Sequence, residues 1–238
     1  MKPNNLNVSG DGVFFTIQGE GVSMGKPVCF LRLRVCNLKC GWCDTRYAWD
    51  TKTPEFWSEK QEWSINKTKK KIEAGWQCKN KKITKRLVIT GGEPLLQKEI
   101  IDKLIDVLPD WFIEIETNGT VMPTKKMLEY CQFNCSPKLK NSGNPKVARI
   151  KGEVLQALNL ANSVFKFVVM VNSDIREIEK DFIIPFNLDI NKIIIMPEGR
   201  SAEEIAKNAR QVVEKVKEKG YRLLGRLHCD LWGAKREV

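Results

Sequence analysis

Cys36-Asn37-Leu38-Lys39-Cys40-Gly41-Trp42-Cys43 puts three thiols within eight residues, directly after the β-rich apolar run 28–34. Thiolates that close, at the end of a strand, can converge on one metal centre. A [4Fe–4S] cluster normally takes four cysteines, so three would leave one iron open to bind and activate a small molecule. A tetrahedral zinc site competes, and would need a fourth ligand from Cys78, Cys131, Cys135 or the sole histidine, His228. Cysteines that merely pack in a core are the third option.

Working outward, short β-rich runs alternate with helical patterns, which predicts βα units and a mainly parallel sheet. Strands are expected over 28–34, 86–90, 112–116, 132–135, 164–169 and 192–196, with a last extended segment over 221–228. Helices are expected over 202–219 and 97–108. The first has Ser201 and Glu204 in a capping-box pattern, an apolar face of Ile205, Ala209, Val212 and Val216, and Gly220 as its stop. In 28–34 one face carries Cys29, Leu31 and Leu33, the other Val28, Phe30, Arg32 and Arg34. Beyond 112, Ile113 and Ile115 oppose Glu114, Glu116 and Asn118. One apolar and one charged face suit a barrel or half-barrel whose polar side lines a cavity. A polar face turned to water fits the alternation equally well. With no repeat and no linker-like stretch, residues 1–238 read as one domain.

Composition bounds the class. Lys and Arg number 40 against 29 Asp and Glu, and much of the excess sits over 60–86, at Lys67, Lys69, Lys70, Lys71, Lys79, Lys81, Lys82, Lys85 and Arg86. Lysines without interleaved aromatics create a field but read no base, so a solvated helix and loop is expected rather than a nucleic-acid site. Residues 1–12 are polar and lack the apolar stretch of a secretory signal, and no run approaches the ~18 apolar residues of a membrane span. The eight cysteines lack the even distribution of a secreted disulfide framework. A cytoplasmic protein with reduced thiols, not attached to a membrane, is the expectation.

The C-x3-C-x2-C spacing, with an aromatic before the last cysteine, resembles the signature of radical S-adenosylmethionine enzymes. Thr90-Gly91-Gly92-Glu93-Pro94, directly after the run 86–89, is similar to that superfamily's GGEP motif. Its glycines are expected to let backbone groups approach the cofactor's methionyl amine; an ordinary βα turn is the alternative for that segment taken alone. Four further stretches resemble the 7-carboxy-7-deazaguanine synthases: Thr16-Ile17-Gln18-Gly19-Glu20-Gly21, Cys43-Asp44-Thr45, Glu116-Thr117-Asn118-Gly119-Thr120 and Ser136-Pro137-Lys138. The tail fits too, with Leu227-His228 and Leu231-Trp232-Gly233. The likeness runs from Phe15 to Val238.

The resemblance implies an incomplete β/α barrel of about six mainly parallel strands, the radical SAM fold, with a cluster-binding loop at 36–45. It implies conversion of 6-carboxy-5,6,7,8-tetrahydropterin to 7-carboxy-7-deazaguanine and ammonia, on the route to queuosine. The implied cofactors are a [4Fe–4S] cluster, S-adenosylmethionine and Mg2+. Cys36, Cys40 and Cys43 would bind iron and Thr45 the Mg2+. Trp42, Cys43, Asp44, Gly92, Ser136, Pro137, Lys138, Met196, Pro197, Glu198 and Gly199 would meet S-adenosylmethionine. Ile17, Gln18, Gly19, Glu20, Thr90, His228 and Val238 would meet the pterin, and Arg32 its carboxylate. A homodimer and an electron donor such as flavodoxin are implied as partners. The alternatives are another small radical enzyme, such as a glycyl-radical activating enzyme, and a zinc-containing nucleic-acid-binding module.

Overall fold

One mixed sheet organises the computed structural model, which describes residues 4–233 and 235–238. Residues 1–3, at the head of the polar stretch, and residue 234, in the tail, lie outside the described residues. The strands are β1 (Asn5–Ile17), β2 (Pro27–Leu33), β3 (Gln61–Ser64), β4 (Lys85–Gly91), β5 (Trp111–Thr117), β6 (Gln132–Cys135), β7 (Ser163–Val169), β8 (Ile193–Pro197) and β9 (Arg222–Leu223). They lie in the order β3-β1-β2-β4-β5-β6-β7-β8-β9. From β2 to β9 every neighbouring pair is parallel, whereas β1 runs antiparallel to β2 and to β3. The parallel order never reverses. The helices 65–75, 98–106, 152–160, 172–178 and 202–219 bury residues in the one apolar core behind the strands, as right-handed crossovers predict. The strip is an open, incomplete β/α barrel, unlike a doubly wound sheet with helices on both faces.

The six expected parallel strands are all present, with bounds within two residues. Alternation decides what each face does. Cys29, Leu31 and Leu33 of β2, Ile113 and Ile115 of β5, and Phe165, Phe167 and Val169 of β7 all join one apolar core. Phe30, Arg32, Glu116, Lys166 and Val168, on the other face, line a cavity. The polar face is therefore turned inward rather than to bulk water.

Helix Ala202–Lys219 has the expected bounds. The Ser201 hydroxyl accepts from the Glu204 amide, and Gly220 stops the helix in the left-handed region at φ 70°. The capping box is only half made, because the Glu204 carboxylate accepts from the Arg200 amide at 2.7 Å. The second expected helix is shorter than 97–108: a 3-10 turn, Pro94–Gln97, precedes Lys98–Asp106.

Two expectations need correction at the chain ends. The segment 221–228 is extended only over Arg222–Leu223, and Leu227–Trp232 is a helix. The chain turns inward there because the Leu227 amide donates to the Gly19 carbonyl at 3.1 Å. Strand β1 was not expected from the polar, glycine-rich sequence over 1–12. Gly10 and Gly12 have φ of 63° and 78°, and the β1–β2 register shifts between Val8 and Val13. They form a bulge that an alternation reading takes for a break. The lysines of the 60–86 segment stand largely exposed on the helix Ile65–Gly75 and the loop after it. Among the described residues no helix is long and apolar enough to cross a membrane.

Candidate active site

The C-terminal ends of β2, β4, β5, β6, β7 and β8 surround a cavity of about 470 Å³, within the ~300–1,000 Å³ typical of small-molecule sites. The loop after β2 carries the three clustered thiols and is tied down by backbone and side-chain bonds. The Val35 amide donates to the Ala48 carbonyl at 2.8 Å and the Gly41 amide to the Ser142 carbonyl at 3.0 Å. The Lys39 amide donates to Asn144 Oδ1 at 2.9 Å. Cys36, Cys40 and Cys43 all line the cavity, and each sulfur has a nitrogen donor. The Leu38 amide reaches Cys36 Sγ at 3.4 Å, Asn144 Nδ2 reaches Cys40 Sγ at 3.3 Å, and Trp49 Nε1 reaches Cys43 Sγ at 3.2 Å. Hydrogen bonds to sulfur help set the potential of a thiolate-bound cluster, and these donors are placed to make them. Among the described residues no three His, Cys, Asp or Glu side chains are gathered around one ion. A four-iron cluster gives each thiolate its own iron, so the thiols need only face one cavity, as they do. Burial pushes the Cys36 thiol up to about 11 and raises Cys40 as well, so loading the site requires their protons to leave.

Gly91, which ends β4, and Gly92, which follows it, explain how that loop is held. A Cβ on Gly91 would lie 1.9 Å from the Leu33 carbonyl oxygen, and one on Gly92 2.0 Å from that of Val35. Their bareness serves the contact between two backbones of this chain. Gly92→Ala is accordingly expected to destabilise by about 2 kcal/mol or more. Thermal unfolding should show a fall of roughly 4–8 °C for a chain of this size, with iron uptake reduced in parallel. An unchanged midpoint would mean that the two backbones separate freely. Glu93, fully buried, accepts from Thr117 Oγ1, the Asn118 amide and the Leu95 amide at 2.8, 2.7 and 3.1 Å. Through it the turn after β4 is bonded to the end of β5.

A chain of charges runs across the opposite wall. Lys166, with 1 % of its surface exposed, donates to Glu116 Oε2 at 2.6 Å and to Glu20 Oε2 at 2.9 Å. Arg226 Nε donates to Glu20 Oε1 at 2.9 Å. Burial opposes the charge of Glu20, but Lys166 and Arg226 outweigh it and hold this carboxyl well below the usual range. Burial wins at Glu116, whose carboxyl is raised. Lys166 stays protonated, held above the usual lysine range by its two carboxylates despite burial. His228 is lowered by burial and sits neutral against Gly19. Arg32 stands over the rings of Phe14 and Tyr47 at 5.4 and 5.9 Å, and its buried Nε has no partner. That unpaired donor on the cavity wall fits an anionic ligand.

Of the residues singled out in the sequence, Ile17, Gln18, Gly19, Glu20, Arg32, Trp42, Asp44, Thr45, Thr90, Gly92, Ser136, Lys138, Met196, Pro197, Glu198, His228 and Val238 line this one cavity with the three cysteines. Pro137 and Gly199 do not. Pro137 is buried behind the wall, and Gly199 offers its carbonyl to Arg226 Nη1 at 2.8 Å. Sequence reasoning did not single out Glu116, Lys166, Arg226, Asn144 or Trp49 as site residues. For Lys166 a signal existed: a lone charge inside the apolar strand Ser163–Val169. For Arg226 there was none. Among the unassigned cysteines, Cys29, Cys131 and Cys135 join the apolar core, while Cys229 lines the cavity.

The arrangement has known counterparts. The model of the radical SAM superfamily matches residues 31–171. In sequence the chain is similar to the 7-carboxy-7-deazaguanine synthase of Pyrobaculum aerophilum, with 30% identity over 227 residues and 94% of each chain covered. It is also similar to that of Rickettsia prowazekii, 35% identical over 179 residues, covering 71% of this chain and 68% of the relative. The synthase of Aquifex aeolicus is 30% identical over 211 residues, covering 87% and 84%. The crystal structure of QueE from Escherichia coli superposes with a TM-score of 0.68 over 94% of this chain and 95% of that one, at 24% identity.

Proposed function

Because the chain belongs to the radical SAM superfamily and, within it, to the 7-carboxy-7-deazaguanine synthases, we propose that this cavity holds cluster, S-adenosylmethionine and pterin together. The reaction is conversion of 6-carboxy-5,6,7,8-tetrahydropterin to 7-carboxy-7-deazaguanine and ammonia. The observation that carries this reading is one cavity lined both by three donor-facing thiols and by an arginine with an unpaired buried nitrogen.

When bound, the cluster with S-adenosylmethionine supplies one-electron, hydrogen-abstracting chemistry at C6 of the pterin. Everything else falls to the chain. Cys36, Cys40 and Cys43 hold the cluster. Trp42, Asp44, Gly92, Ser136, Lys138, Met196, Pro197 and Glu198 flank the cofactor. Lys138 stands 5.3 Å over the Trp42 ring and donates to Ser136 Oγ at 2.9 Å, a fixed cation on that side. Ile17, Gln18, Gly19, Thr90 and the neutral His228 orient the pterin edge, and Arg32 pairs with its carboxylate. Glu20 stays ionised between Lys166 and Arg226 as a fixed negative end for ring N–H groups. Glu116 lines the cavity and burial raises its proton affinity, which makes it the candidate proton acceptor on that wall. Phe14, Phe30, Tyr47 and Trp49, with Val238 from the tail, cover the cavity and keep water from it.

Thr45 Oγ1 lies 3.5 Å from Cys43 Sγ on the same wall and is our candidate ligand for Mg2+. This ion keeps waters and leans on substrate oxygens, so one protein ligand suffices. Thr45→Ala should lose more activity at low Mg2+ than at high Mg2+; equal loss throughout a Mg2+ titration would give Thr45 another role. Residues 1–238 would then form one radical SAM domain. We place it in the cytoplasm, where its free thiols stay reduced, as a homodimer served by a reductant such as flavodoxin.

The deciding experiment is an anaerobic assay of cluster-reconstituted protein with the carboxypterin, read by mass spectrometry for the deazaguanine. Absence of that product in protein carrying a full cluster would refute the reading. Stoichiometric zinc in place of iron and sulfide would refute the cluster as well.

A further inference from the structure

Four segments far apart in sequence meet at one side chain. Arg226, 15% exposed, sends each of its guanidinium nitrogens to a different partner. Nε donates to Glu20 Oε1 at 2.9 Å, Nη1 to the Gly199 carbonyl at 2.8 Å, and Nη2 to Asp44 Oδ2 at 2.5 Å. Glu20 belongs to the wall that starts at Ile17, Asp44 directly follows the third clustered cysteine, and Gly199 follows β8. Arg226 itself precedes the helix Leu227–Trp232, which brings His228 against Gly19. Alone, burial would oppose a charged guanidinium there; two carboxylates offset it. The planar fork has fixed donor directions, so three acceptors bound to it are fixed relative to one another.

We propose that Arg226 is a positioning residue that holds the substrate wall in register with the cofactor loop, acting through Glu20 and Asp44. The proposal rests on the reading of the cavity as shared by cofactor and substrate. The pterin must seat between the two walls, and a wall left free to shift has to be ordered when substrate binds, which weakens binding. Glu20 is on the pterin side and Asp44 on the cofactor side. One rigid group spanning both sets their separation. A lysine would keep the charge but could not make three bonds in one plane.

Arg226→Lys in the full chain separates bridging from charge. In cluster-free protein, hydrogen exchange followed by mass spectrometry should show segments 17–21, 43–48 and 226–233 exchanging about tenfold faster, a loss of roughly 1.4 kcal/mol of local protection. Strands β5 to β7 should keep their protection. After reconstitution, iron content should match wild type, KM for the carboxypterin should rise tenfold or more, and kcat should fall less. Adding Asp44→Asn should then raise KM little further, although Asp44→Asn alone raises it, because the two changes break one bridge. Unchanged exchange with collapsed turnover would overturn the proposal in favour of direct ligand contact. Unchanged exchange with unchanged KM would overturn it as well. Should Arg226→Lys loosen the whole sheet, Asp44→Asn serves instead: it must speed exchange in 226–233, and an unaltered tail there sinks the bridge. Wild-type protein that makes no deazaguanine yet shows the Arg226-dependent exchange would remove the functional reading and leave the bridge standing.

Discussion

Iron is expected to disappear from the reconstituted protein when Cys36, Cys40 and Cys43 are changed together to alanine, and turnover with it. Wild type should carry about four irons per chain, the content of a [4Fe–4S] centre. A single change is a poorer test, since two thiolates can still trap a damaged cluster. The remaining cysteines cannot readily substitute. Cys29, Cys131 and Cys135 are locked in the apolar core and Cys78 lies outside the cavity. Cys229 alone faces the cavity, from the tail side. The fold should survive, because the loop is held by backbone bonds from Val35, Gly41 and Lys39 rather than by its sulfurs. Thermal unfolding of the cluster-free triple variant should therefore stay close to that of cluster-free wild type. Full iron incorporation in the variant would show that the metal sits elsewhere.

Lys166→Met should be the most destabilising single change in the cavity wall. Methionine fills similar space but leaves Glu116 and Glu20 facing each other without their shared cation. Breaking a buried pair from one side costs about 3–5 kcal/mol, and a fall in the unfolding midpoint of roughly 6–20 °C follows for this chain length. Glu20 keeps Arg226. Glu116 keeps only neutral donors, Asn134 Nδ2 at 3.1 Å and Gln18 Nε2 at 3.4 Å, so the damage falls mainly on it. The pH dependence gives the cause away. Burial already raises Glu116 above the ordinary carboxylate range, and loss of Lys166 raises it further. A folded-state value above the unfolded one means that the folded form holds the proton more tightly. The deficit of the variant is then largest above the raised value and shrinks as pH falls toward the unfolded one. Urea unfolding at pH 8 and at pH 5.5 should show the gap to wild type narrowing at the lower pH. A gap that stays constant would assign the loss to packing alone.

Much of this molecule could be read in order along the chain. The period-two runs that became β2 and β4 to β8 carry their apolar residues on one side only. The cap at Ser201 and the stop at Gly220 depend on groups within a few residues. The three thiols declare themselves by spacing. Gly91 and Gly92 have a second task that the sequence did not show, because the end of β2 and the loop after it pass too close to them for a Cβ. Strand β1 escaped because a bulge with two positive-φ glycines interrupts its alternation. The helix Leu227–Trp232 escaped because what starts it is a bond to Gly19, on the far side of the chain.

The sequence by itself determined everything whose cause is local: the thiol spacing, the two-faced strands, the helix with its cap and stop, and the parallel βα class. Only the tertiary structure decided which polar face would line a cavity, because sequential parallel order curls the sheet and turns that face inward. Only the fold could pair Lys166 with Glu20 and Glu116, 146 and 50 residues away, or Arg226 with Glu20 and Asp44, 206 and 182 residues away. A charge carries no mark of its partner along the chain. Its meaning is set by what burial brings within a few ångströms of it, where removal from water makes an unpaired charge costly and a paired one rigid.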